Sequence, residues 1–392
     1  MQSSSTHPLT VPTEISAFAS RLIRWHHQHG RHDLPWQGTR DPYRVWLSEI
    51  MLQQTQVASV IPYYQRFLKR YATVDALAAA PVEEVMELWS GLGYYARARN
   101  LHRCAQTIMN EYGGRFPRSP DTLATLPGIG RSTANAIADF CFDACVPILD
   151  GNVKRVLTRC YGIGGFPGDT ATEKELWTLA QALLPTRTSD TGIYIQAQMD
   201  LGATLCTRSK PACPHCPLKD SCIARREGRT AELPAKKTRK PLPQRQSTVL
   251  LLRNGDSWLL ERRPPAGIWG GMLSLPETGE NEDPVKAVHR LGFSLDTGRH
   301  NDDKNQAPPP FIPMPPLRHT FTHFQLTLYP LIATAPPQPG IAENTGLCLL
   351  TTEELARSAL PNHNPKILAA AGELIQKDPG CFVTPAKVAE QA

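Results

Sequence analysis

The sequence predicts two domains, an all-α one followed by an α+β one. Three observations lead there. The chain has 392 residues, more than a single hydrophobic core ordinarily serves. Its first part carries apolar residues at helical spacing and never alternates like a strand. Past residue 246 the period drops to two and a hairpin signal appears. Hydrophobic content of 41% and charged content of 20% suit folded cores rather than disorder. We place the domains at residues 1–228 and 247–376, with a basic linker at 229–246 and a tail at 377–392.

Thr13 is placed to cap a first helix whose apolar side is Ile15, Phe18, Leu22 and Trp25, ending at Gly30. Asp41-Pro42 is an N-cap followed by proline at the first helical position, and it opens a run over 43–57. Further helices are expected at 82–89, 96–112, 132–140, 153–160 and 172–184, separated by glycine- and proline-rich joints. The stretch 225–246 holds Arg225, Arg226, Arg229, Lys236, Lys237, Arg239, Lys240 and Arg245 with three prolines. That is the composition of an exposed connector, whose charge suits either plain solvation or tracking of a phosphate backbone.

Beyond it, 247–252 and 257–262 flank Asn254-Gly255, a hairpin signal. Phe324, Leu326 and Leu328 alternate as one face of a further strand, while 286–291 and 353–360 read as helices. Residues 299–316, polar and then proline-rich, read as a mobile loop.

No apolar run approaches the roughly 18 residues that cross a bilayer, and residues 1–10 lack a signal-peptide pattern. A soluble, cytoplasmic, monomeric protein is expected. The net charge of +6 permits nucleic acid as a partner without requiring it. Ten cysteines in a chain neither small nor visibly secreted do not describe a disulfide scaffold. Cys104, Cys141, Cys145, Cys160, Cys348 and Cys381 are scattered, and most read as small buried hydrophobes.

The other four, Cys206, Cys213, Cys216 and Cys222, have the spacing C-x6-C-x2-C-x5-C. Soft thiolates select zinc or iron–sulfur centres. Structural zinc sites usually show two C-x2-C hooks and only one is present, which favours a cluster while leaving zinc open. In Leu126-Pro127-Gly128-Ile129-Gly130-Arg131-Ser132, two glycines in a tight turn precede a helix start. Glycine there allows positive φ and close backbone approach, and the following N–H groups form a phosphate site that reads no sequence. Asp150, in Leu149-Asp150-Gly151-Asn152-Val153-Lys154, is well placed to cap the helix starting near Asn152.

These words together resemble the endonuclease-III-like helix-hairpin-helix DNA glycosylases. The resemblance implies a [4Fe–4S] cluster on the four cysteines with a structural, DNA-positioning role, Arg208 and Lys210 facing phosphates, and Asp150 as the catalytic aspartate. Breaking an N-glycosidic bond makes the sugar cationic, and a fixed anion stabilises that charge. A helix N-terminus would help keep Asp150 ionised. Members that also cut the strand carry a lysine after the hairpin, which forms a Schiff base with the sugar. Ser132 stands there, so a monofunctional enzyme is implied, with Lys154 the residue most able to give weak incidental trapping.

The word Trp46-Leu47-Ser48-Glu49-Ile50-Met51-Leu52-Gln53-Gln54-Thr55-Gln56-Val57 resembles the MutY-type adenine DNA glycosylases, which place a catalytic glutamate at the position of Glu49. A carboxylate among Trp, Leu, Ile and Met is desolvated, which raises its pKa and suits a general acid. A helical glutamate facing solvent is the plain alternative. Adenine leaves poorly as an anion, and protonation at N7 makes it a good leaving group. The resemblance further implies that Asn152 and Ser132 assist nearby and that Trp36 and Gln196 surround the extruded base. It puts Gln54, Leu92 and Tyr94 at the opened duplex and Gly128 and Gly130 on the phosphate.

Residues 267–277 resemble the stretch before the catalytic helix of Nudix hydrolases, but the paired glutamates that should follow to hold magnesium are absent from 281–288. A recognition domain without hydrolase activity is implied. MutY-type proteins use it to find 8-oxoguanine opposite adenine. Phe321-Thr322-His323-Phe324 matches the lesion-contacting segment, with Thr322 where many bacterial members have Ser; a buried strand end is the alternative. The implied activity is removal of adenine opposite 8-oxoguanine or G in double-stranded DNA, without strand cleavage. The rivals are a pyrimidine glycosylase/lyase, disfavoured by Ser132 and Glu49, a Nudix nucleotide hydrolase, and a non-catalytic iron–sulfur DNA-binding protein.

Overall fold

A computed structural model describes residues 12–237, 241–264, 270–295, 311–321, 323–337, 346–358, 360–361 and 363–377. The chain divides into two compact units, residues 1–239 and 240–392. Among the described residues, no helix is long and apolar enough to cross a membrane.

The first unit is built from helices α1 (Pro12–His29), α2 (Pro42–Leu52), α3 (Val57–Arg70), α4 (Val74–Ala79), α5 (Val82–Leu88), α6 (Ala96–Tyr112), α7 (Pro120–Leu123), α8 (Arg131–Phe142), α9 (Gly151–Tyr161), α10 (Thr170–Ala182), α11 (Thr191–Thr204) and α12 (Ile223–Arg226). The side chains of Thr13 and Ile15 lie outside what is described. Asp41 caps α2 as expected, its side chain accepting from the Tyr43 N–H at 2.9 Å. The run expected over 43–57 is instead two helices with a break at 53–56. Gln54 sits there in the left-handed region, with φ 59°, which a continuing helix cannot contain.

One core joins α1, α9, α10 and α11 through Leu22, Val153, Val156, Leu176, Tyr194 and Leu201. Apolar residues of four helices thereby hold the start of α9, where Asp150 stands, and α11, where Gln196 stands.

The second unit is a mixed sheet of β1 (Gln244–Asn254), β2 (Ser257–Arg262), β3 (Leu273–Ser274), β4 (Ile312–Pro313), β5 (Leu317–Thr320), β6 (Gln325–Thr334) and β7 (Leu347–Thr351). The order is β3-β2-β1-β6-β4, with β5 on β6 and β7 on β2. The expected hairpin is present as β1 and β2, with Gly255 at φ 61°. β1 begins three residues before the expected strand. Gln244, Arg245 and Gln246 belong to the sheet rather than to the linker, because they continue a parallel ladder against Gln325, Leu326 and Thr327. Val249 and Leu251 enter one core with Ile367 and Ala371 of α15 (Asn364–Lys377). Leu250 and Leu252 enter the opposite core with Ala287 and Val288 of α13 (Pro284–Arg290). A strand buried on both faces reads as an unbroken apolar run, as 249–252 does.

The helix expected near Glu353 is α14 (Thr352–Arg357), opened by a reciprocal capping box between Thr351 and Glu354. Part of the expected loop over 299–316 is strand, since β4 pairs with β6. Residues 299–310, the 267–269 word, Thr322, Cys381 and most of the expected tail lie outside the described residues.

Asp139 of α8 gives a stability prediction. Its Oδ1 accepts from the Cys145 N–H at 3.2 Å, while Oδ2 is buried and has no partner among the described residues. Burial pushes the carboxyl up to about 7. The unfolded chain loses this proton near pH 4 and the folded chain near 7, so stability falls as pH rises through that window. Asp139→Asn should raise the unfolding temperature of the first unit by about 2–4 °C at pH 8 and change it little at pH 4. Circular-dichroism melts at both pH values check this.

Candidate active site

A cleft of about 1130 Å³ opens in the first unit and gathers seven of the sequence-expected residues on its walls: Trp36, Glu49, Gln54, Ser132, Asp150, Asn152 and Gln196. Glu49 comes from the last turns of α2, Ser132 from the first turn of α8, Asp150 and Asn152 from the start of α9, and Gln196 from α11. Two chain segments far apart in sequence, α2 and the start of α9, therefore place two carboxyl groups on one cavity.

Glu49 lies between Trp46, Leu47, Ile50 and Met51, all buried, and faces the cleft partly exposed. Burial, reinforced by the neighbouring Asp150 charge, pushes its carboxyl up to about 7. Near neutral pH it is divided between acid and carboxylate, the condition a general acid needs.

Asp150 is the N-cap of α9. Its Oδ1 accepts from the Val153 N–H at 2.8 Å and its Oδ2 from Asn152 Nδ2 at 3.2 Å. Burial nonetheless holds its pKa above the usual carboxylate value, against these donors and the Arg155 charge. The N–H groups of the helix start favour the ionised form, as expected, but desolvation outweighs them. A cation forming beside it would reverse that balance.

Ser132 Oγ accepts from the Leu149 N–H at 3.0 Å, tying the hairpin helix to the residue before Asp150. Asn152 Oδ1 accepts from Arg155 Nη2 at 2.8 Å. Arg155 Nε in turn donates to the Cys206 carbonyl at 2.7 Å, and Nη2 to that of Gly202 at 2.8 Å. The aspartate is thus linked by hydrogen bonds to the first residue of the cysteine loop.

Gly128 has φ 79°, and a Cβ there would stand 2.8 Å from the Asn100 Cβ. Gly130 differs from expectation, having an ordinary φ of −87° as N-cap of α8. Open space surrounds it, so glycine leaves room there for an outside group. Leu92, only 7% exposed, packs into the core, whereas Tyr94 is 50% exposed and stands out of the surface.

Sequence reasoning missed Asp200, fully buried behind the cleft. Its carboxylate accepts from the Arg31 backbone N–H at 2.8 Å, from Arg31 Nε at 2.9 Å and from Gln196 Nε2 at 3.0 Å. Burial pushes its pKa up, but His26, with Nε2 at 3.2 Å, and the bonds from Arg31 outweigh that and hold it below the usual value. The hydrogen bonds to Asp200 fix Gln196 and the start of the segment that carries Trp36. An aspartate in the apolar run Met199 to Leu201 was the available signal.

Cys206, Cys213, Cys216 and Cys222 line one small cavity. Buried Arg159 donates from Nη1 to Cys206 Sγ at 3.4 Å and to the Thr207 carbonyl at 2.7 Å. Among the described residues, no three His, Cys, Asp or Glu side chains converge as one metal ion requires. A [4Fe–4S] cluster takes one thiolate per iron and accepts a wider cage, so the donor set is compatible with it.

Residues 47–182 match the family model for the HhH-GPD superfamily base excision DNA repair proteins, and residues 248–370 that for the NUDIX domain. The adenine DNA glycosylase of Buchnera aphidicola (from Acyrthosiphon pisum) is 37% identical over 319 residues, covering 81% of this chain and 87% of that protein. This chain belongs to the adenine DNA glycosylases. The mouse adenine DNA glycosylase is 34% identical, over 92% of this chain and 79% of its own length. Among solved structures, a thermostable thymine-DNA glycosylase superposes with a TM-score of 0.50 at 29% identity, covering 55% of this chain and 98% of its own.

Within this adenine glycosylase family member, Lys154 is not free for the sugar. Its Nζ pairs with Glu173 Oε1 at 2.7 Å, and it is not among the residues that line the cleft. In the second unit, His323 is exposed, with its ring 4.8 Å from that of Phe324 and 6.2 Å from that of Phe321.

Proposed function

We propose that this chain hydrolyses the N-glycosidic bond of adenine paired with 8-oxoguanine or G in duplex DNA, and leaves the strand uncut. One observation carries the reading: a desolvated Glu49 and a capped Asp150 share a single cleft. Glu49 gives its proton to adenine N7, so the base leaves neutral. Asp150 faces the sugar as it becomes cationic, and Asn152 and Ser132 hold it in place. Trp36 and Gln196 line the base pocket, Gln54 and Tyr94 meet the opened duplex, and Gly128 and Gly130 approach the backbone. Thr322 and His323 are assigned to the lesion strand. Cys206, Cys213, Cys216 and Cys222 would hold a [4Fe–4S] cluster, which orders their loop and supplies no hydrolytic chemistry. The domain assignment is a glycosylase domain, a basic linker and a lesion-recognition domain, and the protein acts as a monomer in the cytoplasm.

Purified protein should release adenine from duplexes holding A opposite 8-oxoguanine and A opposite G, and nothing from thymine glycol. No release from the first duplex would sink the proposal. Because Ser132 offers no amine and Lys154 is engaged by Glu173, borohydride should trap less than about one part in ten of the adduct that a lysine-bearing lyase gives. Strong trapping on a denaturing gel would point to the pyrimidine glycosylase/lyase reading.

A further inference from the structure

The break between α2 and α3 and the loop after α5 lie far apart in sequence, yet one side chain holds both. Arg97 of α6 is only 8% exposed. Its Nη1 donates to the carbonyls of Ile50 (3.0 Å), Met51 (2.8 Å) and Gln53 (2.6 Å). Its Nη2 donates to Thr55 Oγ1 (3.0 Å) and to the carbonyls of Leu92 (3.3 Å) and Gly93 (3.1 Å). The guanidinium lies 5.3 Å from the Trp89 ring centre and 5.4 Å from that of Tyr94.

The pattern of acceptors is specific. Ile50 and Met51 end the helix that carries Glu49, and their carbonyls are among those a helix leaves without an internal partner. Gln53 and Gly93 each directly precede a non-glycine residue in the left-handed region, Gln54 at φ 59° and Tyr94 at φ 50°. Such a backbone is held only where its surroundings over-determine it, and both times Arg97 grips the carbonyl just before it. Gln54 lines the cleft and Tyr94 stands half exposed. A lysine has no planar fork to reach six acceptors at once.

We propose that Arg97 is a positioning residue for base extrusion: it fixes Gln54 and Tyr94 together, in register with the end of the Glu49 helix, so that the two enter the duplex as one rigid edge. This rests on the proposed adenine-removing activity. The cost of unstacking is met by inserted side chains. A loosened edge therefore slows extrusion and leaves the proton transfer from Glu49 intact.

The test compares two substrates under single-turnover conditions. One is a fully paired duplex with A opposite 8-oxoguanine. The other has the same pair flanked by mismatches, so that the adenine is already unstacked. Arg97→Lys should lower the rate at least about 10-fold on the first and less than about 3-fold on the second, with the pH profile unshifted. Equal losses on both substrates, or no loss on the paired one, would overturn the inference. Thr55→Val removes one acceptor and leaves Arg97 in place. It should show the same inequality at about 2- to 5-fold even if Arg97→Lys fails to fold, and an equal loss on both would count against the inference again. Wild-type protein inactive on both substrates would instead remove the adenine reading itself.

Discussion

Glu49→Gln is expected to bind a duplex with A opposite 8-oxoguanine like the wild type, and to lose about 10²- to 10⁴-fold in single-turnover rate. The size follows from what is removed. Gln is nearly isosteric and leaves the buried neighbours Trp46, Leu47, Ile50 and Met51 undisturbed, but it cannot deliver a proton to N7. The pH dependence has a definite sign. With the carboxyl pushed up to about 7, the wild-type rate should fall as pH rises through about 7, and the variant should lose that limb. Wild-type stability falls over the same rise in pH. The folded state keeps the Glu49 proton between its ordinary value, near 4.5, and about 7, so ionisation costs stability as pH rises through that window. Each pH unit of such a shift is worth about 1.4 kcal/mol. Glu49→Gln should therefore melt higher than wild type at pH 8 while being nearly inactive. A variant that is both less stable and less active would show a structural glutamate rather than a catalytic one.

The residues most legible in the sequence were those whose chemistry is written into a local word. Glu49 stands in an apolar helix, Asp150 directly before a helix start, and Ser132 directly after the hairpin glycines; the fold brings all three to one cleft. What the sequence hid depends on partners far along the chain. The apolar period runs through 43–57 without a visible stop, because the break at Gln54 is held by Arg97. Leu92 and Tyr94, two residues apart, were given one role. A single guanidinium holds the carbonyls of Leu92 and Gly93, yet Leu92 packs inward and Tyr94 projects. In the second unit, β3 and β4 are two residues long, too short for a period to register. Gln244 to Gln246 look like linker until β6 pairs with them. The fold class needed only periodicity and length, whereas the edges of the site needed tertiary contacts.

Asp150→Asn should lower turnover on the order of 10³-fold and also leave duplex binding intact. The substitution removes the negative charge that faces the sugar but keeps a side-chain oxygen able to accept from the Val153 N–H, the bond that caps α9. Helix capping alone therefore predicts a mild effect, since Asn caps about as well as Asp, and charge stabilisation predicts a severe one. The rate separates the two readings where a melting curve would not. Burial raises the pKa of this carboxyl, so its charge costs stability. Replacing it with a neutral amide should leave the unfolding temperature at pH 8 unchanged or higher. Asn152→Ala should lie between wild type and Asp150→Asn in rate. It deletes the Nδ2 donor to Asp150 Oδ2 and frees Arg155 Nη2 from its Oδ1, so the carboxylate survives but is less firmly aimed. If Asp150→Asn retained more than about a tenth of the wild-type rate, Asp150 would be a cap and nothing more, and the sugar cation would need another anion in the cleft. Glu49 is the only other carboxylate among the described residues lining it, and it cannot hold a proton for N7 and a charge for the sugar at the same moment. The two carboxyl groups have to differ in protonation for the reaction to proceed, and the Asp150 charge, which helps to raise the pKa of Glu49, favours that division.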